Sequence, residues 1–317
     1  MNPRKGIVLK VLSALCATMM LACVKGLDGQ VPTGEVVFFR SFVALIPLVI
    51  WLGLQGNILA LTRTRNIKGH LGRGLSGTGG MYFNYMALAF IPLADATALS
   101  YAAPLFTVIL AAIMLREVVK PYRWAAIAVG FAGVVIMLSP HLSVGQAPSQ
   151  SSTLASASMI GVACALIAAM CSATSTVQIR YLNGKEQAGA IVFWFSMLTT
   201  LVGLSTLAFG WVIPTLNQWL LLVGVGAFGG AAQILVTLSL RDAHASLLAP
   251  FEYTTLVWSA VIGYVLLSQV PGVWTLVGAA VVASAGLCTV WYERRQNQNR
   301  PAPLAARNLA QAESGTP

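Results

Sequence analysis

Glu252 stands inside an apolar run, ASLLAPFEYTTLVWSAVIGYVLL, about eight residues and so roughly 12 Å from its start if the run is helical. At that depth in hydrocarbon an unpaired charge costs at least ~2.5 kcal/mol, so something must compensate it. Either a neighbour bonds the carboxyl within packed helices, or the carboxyl lines a polar cavity, and acids inside membranes usually mark pathways. A carboxyl so placed is also a candidate for taking up and releasing a proton. Tyr253 adjoins it, and Leu256, Ser259 and Gly263 share its face by helical spacing. Pro250, just before, can free a carbonyl and bend a helix, and Pro104 holds a comparable position among Thr97, Ser100, Tyr101 and Thr107. A third apolar run carries Tyr82, Asn84 and Tyr85, and another carries Phe193, Trp194 and Phe195. Aromatic side chains in membranes more often pack or anchor than bind ligands. The residues expected to contact a ligand are therefore Tyr82, Asn84, Ser100, Tyr101, Glu252 and Tyr253, with Glu252 as the proton-exchanging group.

Three further charges have a different expectation, anchoring or gating: Lys25, Glu35 and Arg40. Arg40 lies too far from Glu35 for ideal i, i+4 pairing, which leaves structural anchoring and substrate contact as equal alternatives. Lys25 has Asp28 or Glu35 as candidate partners. Other chemistries find less support. Gly224, Gly226 and Gly229 match GxGxxG, but without a preceding strand or a following acid at the required distance, so close helix packing is favoured over a dinucleotide site. Gly72, Ser76 and Gly80, like Gly226 and Gly230, have the spacing that lets helix backbones approach. Cys16, Cys23, Cys164, Cys171 and Cys288 show no CxxC pattern, and His70, His141 and His244 are scattered. No metal site, cofactor or nucleophile-base pair is expected from them.

The elements that must position these residues are membrane spans. Hydrophobic residues make up 57% of the chain and charged ones 9%, far below the charge content of soluble domains. Ten apolar runs, at 6–24, 36–54, 71–91, 93–115, 122–138, 154–177, 188–209, 216–240, 245–267 and 273–292, are each near the length that crosses a bilayer. The second five repeat the first. Asp95-Ala96-Thr97-Ala98 answers to Asp242-Ala243-His244-Ala245 at nearly the offset that relates Gly77 and Gly79 to Gly224 and Gly226, and Cys16 and Cys23 to Cys164 and Cys171. Because five is odd, the second unit must enter from the opposite side, giving an inverted repeat. Of the 19 Lys and Arg, all except Lys25 and Arg40 fall in alternate connections or at the termini, on one side. The positive-inside rule makes that side the cytoplasm, so the net charge of +10 reflects topology and not nucleic-acid binding. The units are 1–139 and 154–292, joined by an uncharged external linker at 140–153 and followed at 293–317 by a polar tail expected to be disordered in the cytoplasm.

With Lys25 ending span one, Arg40 in span two, APLFTVILAAIMLREVV from Ala103 through Val119 and Gly130 and Gly133 in span five, the chain resembles the EamA-type members of the drug/metabolite transporter superfamily over nearly its whole length. Two positions depart: Gln269 stands where such proteins often carry the Glu matching Glu117, and Leu256 where a second Pro is often found. The resemblance implies an all-α, multi-pass carrier of small metabolites in a bacterial inner membrane, with both termini cytoplasmic. The opening MNPRKGIVLKVLSALCATMMLACVKGL and the EVVFFRSF of span two look most like riboflavin importers.

The expectation is a secondary transporter that works by alternating access, its site lying between the two halves near the bilayer midplane, and riboflavin as best substrate. Amino-acid metabolites, S-adenosylmethionine and toxic compounds are the alternatives. A channel or a membrane enzyme is less favoured. Expected partners are the small-molecule substrate and membrane lipids, with a homodimer as an option and no nucleic acid. Reporter fusions at residues 145 and 182 are expected to land in opposite compartments; finding both on one side removes the inverted repeat.

Overall fold

A computed structural model describes residues 3–54, 64, 66–114, 121–142, 152–183, 186, 188–242, 248 and 251–298. The Arg116, Glu117 and Lys120 patch, Pro250, most of the 140–153 linker and the tail beyond Gln298 lie outside them. The described chain is helical throughout: α1 Pro3–Gly26, α2 Thr33–Leu54, α3 Ile67–Phe90, α4 Leu93–Ser100, α5 Ala102–Met114, α6 Pro121–Leu142, α7 Ser152–Asn183, α8 Ala188–Ser205, α9 Leu216–Asp242, α10 Thr254–Leu267 and α11 Val273–Gln298. Taking α4 and α5 together as span four gives ten spans, five in each repeat. Seven of them hold a long apolar stretch, and α6 and α10 hold shorter ones. The tenth, α3, has the length to cross at 24 residues but is rich in glycine and carries His70 and Arg73. Helix α11 also runs past Tyr292 to Gln298, so the first residues of the expected tail are helical.

The packing obeys an exchange of the two repeats. Span one packs on span eight as α1 against α9, and the exchanged pair, spans six and three, packs as α7 against α3. Likewise α2 meets α9 as α8 meets α3, and α1 meets α10 as α7 meets α4 and α5. The pairs α2 with α8, α6 with α11 and α4 with α10 map onto themselves. Such contacts are what two units related by an in-plane pseudo-twofold axis must make, and they confirm ten helices arranged as inverted five-helix repeats.

Because lipid is as apolar as the helix surfaces, close backbone approach holds these pairs together more than any hydrophobic difference. A Cβ on Gly278 of α11 would lie 2.5 Å from the Gly133 carbonyl oxygen of α6, and one on Gly133 would lie 2.9 Å from the Gly278 oxygen. The spacing in α3 works the same way on α7: a Cβ on Gly72 would meet Gln178, and one on Gly80 would meet Ser172. Gly226 lets α9 lie against Val43 and Phe39 of α2.

Local chemistry sets the ends. Asn66 Oδ1 accepts from the Gly69 N–H at 3.2 Å and caps the start of α3. At the other end Pro92 forces Ile91 into extended backbone, which stops the helix. Within span four, Pro104 has no N–H for the Ser100 carbonyl, and the helix breaks at Tyr101, whose N–H turns back to Ala98 and Leu99. Span nine breaks at Tyr253, and the Leu256 N–H bonds the Tyr253 carbonyl at 3.1 Å. Substituting Gly278→Val should separate α6 from α11 and, at the roughly 1–3 kcal/mol typical of overpacking, lower the thermal midpoint of the purified protein by several degrees; an unchanged midpoint would contradict the close contact.

Candidate functional site

The two helix breaks meet. The Tyr101 and Tyr253 rings stack with centroids 5.0 Å apart and planes 20° off parallel. In an unbroken helix the Glu252 carbonyl would accept from Leu256, but that N–H is already taken by Tyr253. The Tyr101 hydroxyl, from the other repeat, donates to the Glu252 carbonyl at 2.7 Å and also touches Thr255 Oγ1. Thr255 Oγ1 itself donates to the same carbonyl. Gly286 of α11 leaves room for the Tyr253 hydroxyl, which sits where a Cβ would be.

Around this junction opens a cavity of about 940 Å³, within the range of small-molecule sites. Its lining comes from one half of the bundle's length: Lys10 to Met20 in α1, Ser100 to Ala111 in span four, Gly229 to Val236 in α9, Glu252 to Thr255 in span nine and Ala285 to Val290 in α11, with Arg40 of α2. Given the alternating direction of the helices, these segments lie mostly toward the end where α1 begins, with Met20 and Arg40 deepest in the bundle. Glu252 is compensated, as its place in an apolar run requires, and it lines the cavity. Its side chain is 63% accessible, and its Oε1 lies 3.3 Å from Lys10 Nζ. Lys5 and Asp242, 3.6 Å apart, form a further pair at the same end.

The opposite end is sealed by polar ties, most of them between the repeats. The Leu93 N–H donates to Gln269 Oε1 at 3.0 Å, and Thr275 Oγ1 donates to Asp95 Oδ1 at 2.6 Å. Glu35, 1% exposed, accepts from the Val212 N–H at 3.3 Å, and Gln218 donates to Gln30 at 2.9 Å. Lys25 pairs with neither Asp28 nor Glu35. Its ammonium donates to the Leu88 and Ile91 carbonyls, the latter at 3.0 Å, at the C-terminal end of α3 where the helix dipole favours a cation.

The sequence candidates therefore separate. Ser100, Tyr101, Glu252, Tyr253 and Arg40 line the cavity, and Lys25 and Glu35 belong to the sealed end. Asn84 lines a second, smaller hollow of about 260 Å³ beside Gly77, Gly80, Ser175 and Phe195. Tyr82, 38% exposed, lines neither hollow. Two residues of the site escaped sequence reasoning. Lys10 looked like a topology charge, and its signal was only its place two turns inside α1. Gln233 was one polar residue in a long apolar run, and it lines the cavity from α9. Arg73, counted with the basic connection, is instead 7% exposed within α3, its guanidinium 4.1 Å from the Phe195 ring centre.

Comparison with known proteins gives a family. The profile of the EamA-like transporter family matches residues 4–139 and 159–291. The pseudopaline exporter of Pseudomonas aeruginosa strain UCBPP-PA14 is 29% identical over 89% of this chain and 94% of its own. The S-adenosylmethionine uptake transporter of Rickettsia bellii is 29% identical over 86% and 88%. The riboflavin transporter of Rhizobium johnstonii is also 29% identical, over 86% and 85%. One crystal structure superposes with a TM-score of 0.63 at 19% identity, covering 93% of this chain and 99% of that one, so the fold is shared.

Removing the ties at the sealed end tests its role. With Gln269→Leu and Thr275→Val combined, each lost bond weakens the seal by about 1 kcal/mol, and each such step raises the open population roughly fivefold. A cysteine placed at Ser100 in a cysteine-free background should then react correspondingly faster with a membrane-impermeant thiol reagent added from the side of the α1–α2 turn. An unchanged rate would mean that closure rests elsewhere.

Proposed function

We propose that this chain, which belongs to the EamA-like transporter family, is a secondary active carrier of a small polar metabolite that works by alternating access. The observation that carries the proposal is a cavity walled by both repeats at their broken helices and shut at one end by hydrogen bonds. A continuous pore would need both ends open at once. With the orientation that the positive-inside rule assigns, the open end faces the cytoplasm and the conformation is inward-facing. The membrane is then a bacterial inner membrane, with both termini in the cytoplasm.

The packing supports a simple motion. Because the contacts exchange under the repeat symmetry, rocking one half against the other can trade the Lys10 end for the Leu93–Gln269 end around the same tyrosines. In the present arrangement the short contacts at Tyr101 and Tyr253 tie span four to span nine. Glu252 and Lys10, 3.3 Å apart at the open end, join the two repeats, so their ion pair can exchange partners as the cavity closes. Proton exchange is assigned to Glu252 because it is the acid in the cavity lining among the described residues.

The named relatives carry chemically different cargo, from riboflavin to S-adenosylmethionine. Riboflavin, the expected substrate, could stack on the tyrosine pair; S-adenosylmethionine could place its cationic part near Glu252. Proteoliposomes holding the purified chain should show saturable counterflow of at least one of the two labelled compounds, absent from protein-free vesicles. The Glu252→Gln protein should lose the pH dependence of net uptake while keeping counterflow. Flux that never saturates would favour a channel, and unaltered pH dependence in the variant would remove the proton role.

A further inference from the structure

Arg40 sits at the deep end of the cavity, where no carboxylate among the described residues pairs with it. It is 8% exposed and lines the cavity from α2, and its Nε has no hydrogen-bond partner. The neighbouring positions place it closely. A Cβ on Gly229 would lie 2.9 Å from Met20 Sδ and 3.5 Å from Arg40 Nε, so the guanidinium is level with Met20. That is ten residues, or about 15 Å, along α1 from Lys10. The nearest acid in sequence, Glu35, is committed to the Val212 N–H. The one acid in the cavity lining, Glu252, is held by Lys10 at the far end. What lies beside Arg40 is the Tyr85 hydroxyl and a second buried guanidinium, Arg73, which acts on it through space. Arg73 also has no carboxylate; its Nε and Nη1 are unbonded and it rests on Phe195.

Arg40 meets the Tyr85 hydroxyl but no carboxylate among the described residues; a buried cation so placed is costly, and a second cation beside it raises the cost. The arrangement is stable only with an anion or water at the cavity's inner end. We propose that Arg40 is the substrate's carboxylate-binding residue, and that the carrier's cargo is a carboxylate-bearing metabolite, with a neutral heterocycle excluded as its main substrate. This rests on the carrier function proposed above and narrows it. A guanidinium offers parallel N–H groups that match a carboxylate in a bidentate pair. Carboxylate is favoured over a phosphate dianion because only one cation reaches the cavity wall at that end, Arg73 being behind it. The tyrosine pair then faces the middle of the ligand, and Glu252 and Lys10 meet whatever its far end carries. An anion at Arg40 would also offset the repulsion between Arg40 and Arg73.

The test uses the full chain in lipid nanodiscs and matched pairs of compounds: S-adenosylmethionine with its decarboxylated form, L-methionine with methioninol, L-histidine with histamine, and riboflavin alone. The carboxylate member of at least one pair should raise the thermal midpoint at a half-saturating concentration about tenfold or more below that of its partner, the size of one lost charged contact. Arg40→Gln should abolish that discrimination, and Arg40→Lys should keep part of it. Both variants are first checked for a monodisperse elution profile and an unliganded midpoint near that of the unaltered protein. If Arg40→Gln does not fold, the discrimination by the unaltered protein decides alone. Pairs bound equally, discrimination that survives Arg40→Gln, or riboflavin bound with no carboxylate bound would each overturn the assignment and leave the carrier standing. No binding by any compound, together with no saturable flux in proteoliposomes, would overturn the carrier and the assignment with it.

Discussion

A carbonyl released by a broken helix in hydrocarbon has no water to turn to, and at the centre of this protein the Glu252 carbonyl is taken up by a tyrosine from the other half. That bond, 2.7 Å from the Tyr101 hydroxyl, does two things at once. It makes the break in span nine tolerable, and it fixes the break against the one in span four, so the two weakest points of the two repeats become a single junction. The stacked tyrosine rings follow from it, as does the position of Glu252, whose side chain leaves the break toward the cavity while its backbone is held. Gly286 completes the arrangement by making room for the second hydroxyl. Without this junction the polar ties between the halves would lie only away from the broken helices, and nothing would set the two breaks against each other.

The two ends of the molecule use polar groups differently, and the difference is physical. At the sealed end the donors are mostly neutral or backbone groups, Leu93, Val212, Gln218 and Thr275, each meeting a side-chain oxygen. Bonds of this kind cost little to break in water, since the solvent replaces them, and a seal that must open can be built from several of them. The ammonium of Lys25 belongs there because the carbonyls ending α3 suit a cation. At the open end the ties are ion pairs, Lys5 with Asp242 and Lys10 with Glu252. Exposed pairs contribute little, so they do not hold that end shut.

Sequence made the skeleton legible because its signals are repeated. Apolar length gave the spans, the parity of five gave the inversion, and the glycines of α3 and α9 announced close helix contacts that the structure contains. Tyr101, Tyr253, Ser100 and Glu252 were found because prolines and an acid are conspicuous in apolar runs. Other features were not visible for equally definite reasons. Lys10 and Arg73 were read by the rule that basic residues mark the cytoplasmic side, which says nothing of residues a turn or two inside a helix. Tyr82 and Asn84 share a helix and lie two residues apart, so they point in different directions, and the bundle takes one toward a hollow and leaves the other on the surface. Gln269 looked like a loss, a neutral residue where an acid is common, yet it is the acceptor that holds Leu93.

That last residue bears on how the two repeats diverged. An inverted duplication begins with two equivalent ends, and a carrier with equal ends has no preferred resting conformation. Here the repeats differ at the positions that close each end: span four is broken by Pro104, whereas its counterpart has Leu256 near the corresponding place, and Gln269 gives span nine's far end a neutral acceptor. On the proposed mechanism, the shared packing would supply the axis about which the halves rock, and these unshared residues would set which side rests open. A preference of only a few kcal/mol is enough to make one state dominate, and the two ends differ in the bonds that join them. On that mechanism the symmetric part of the sequence would provide the motion, and the asymmetric part its starting point.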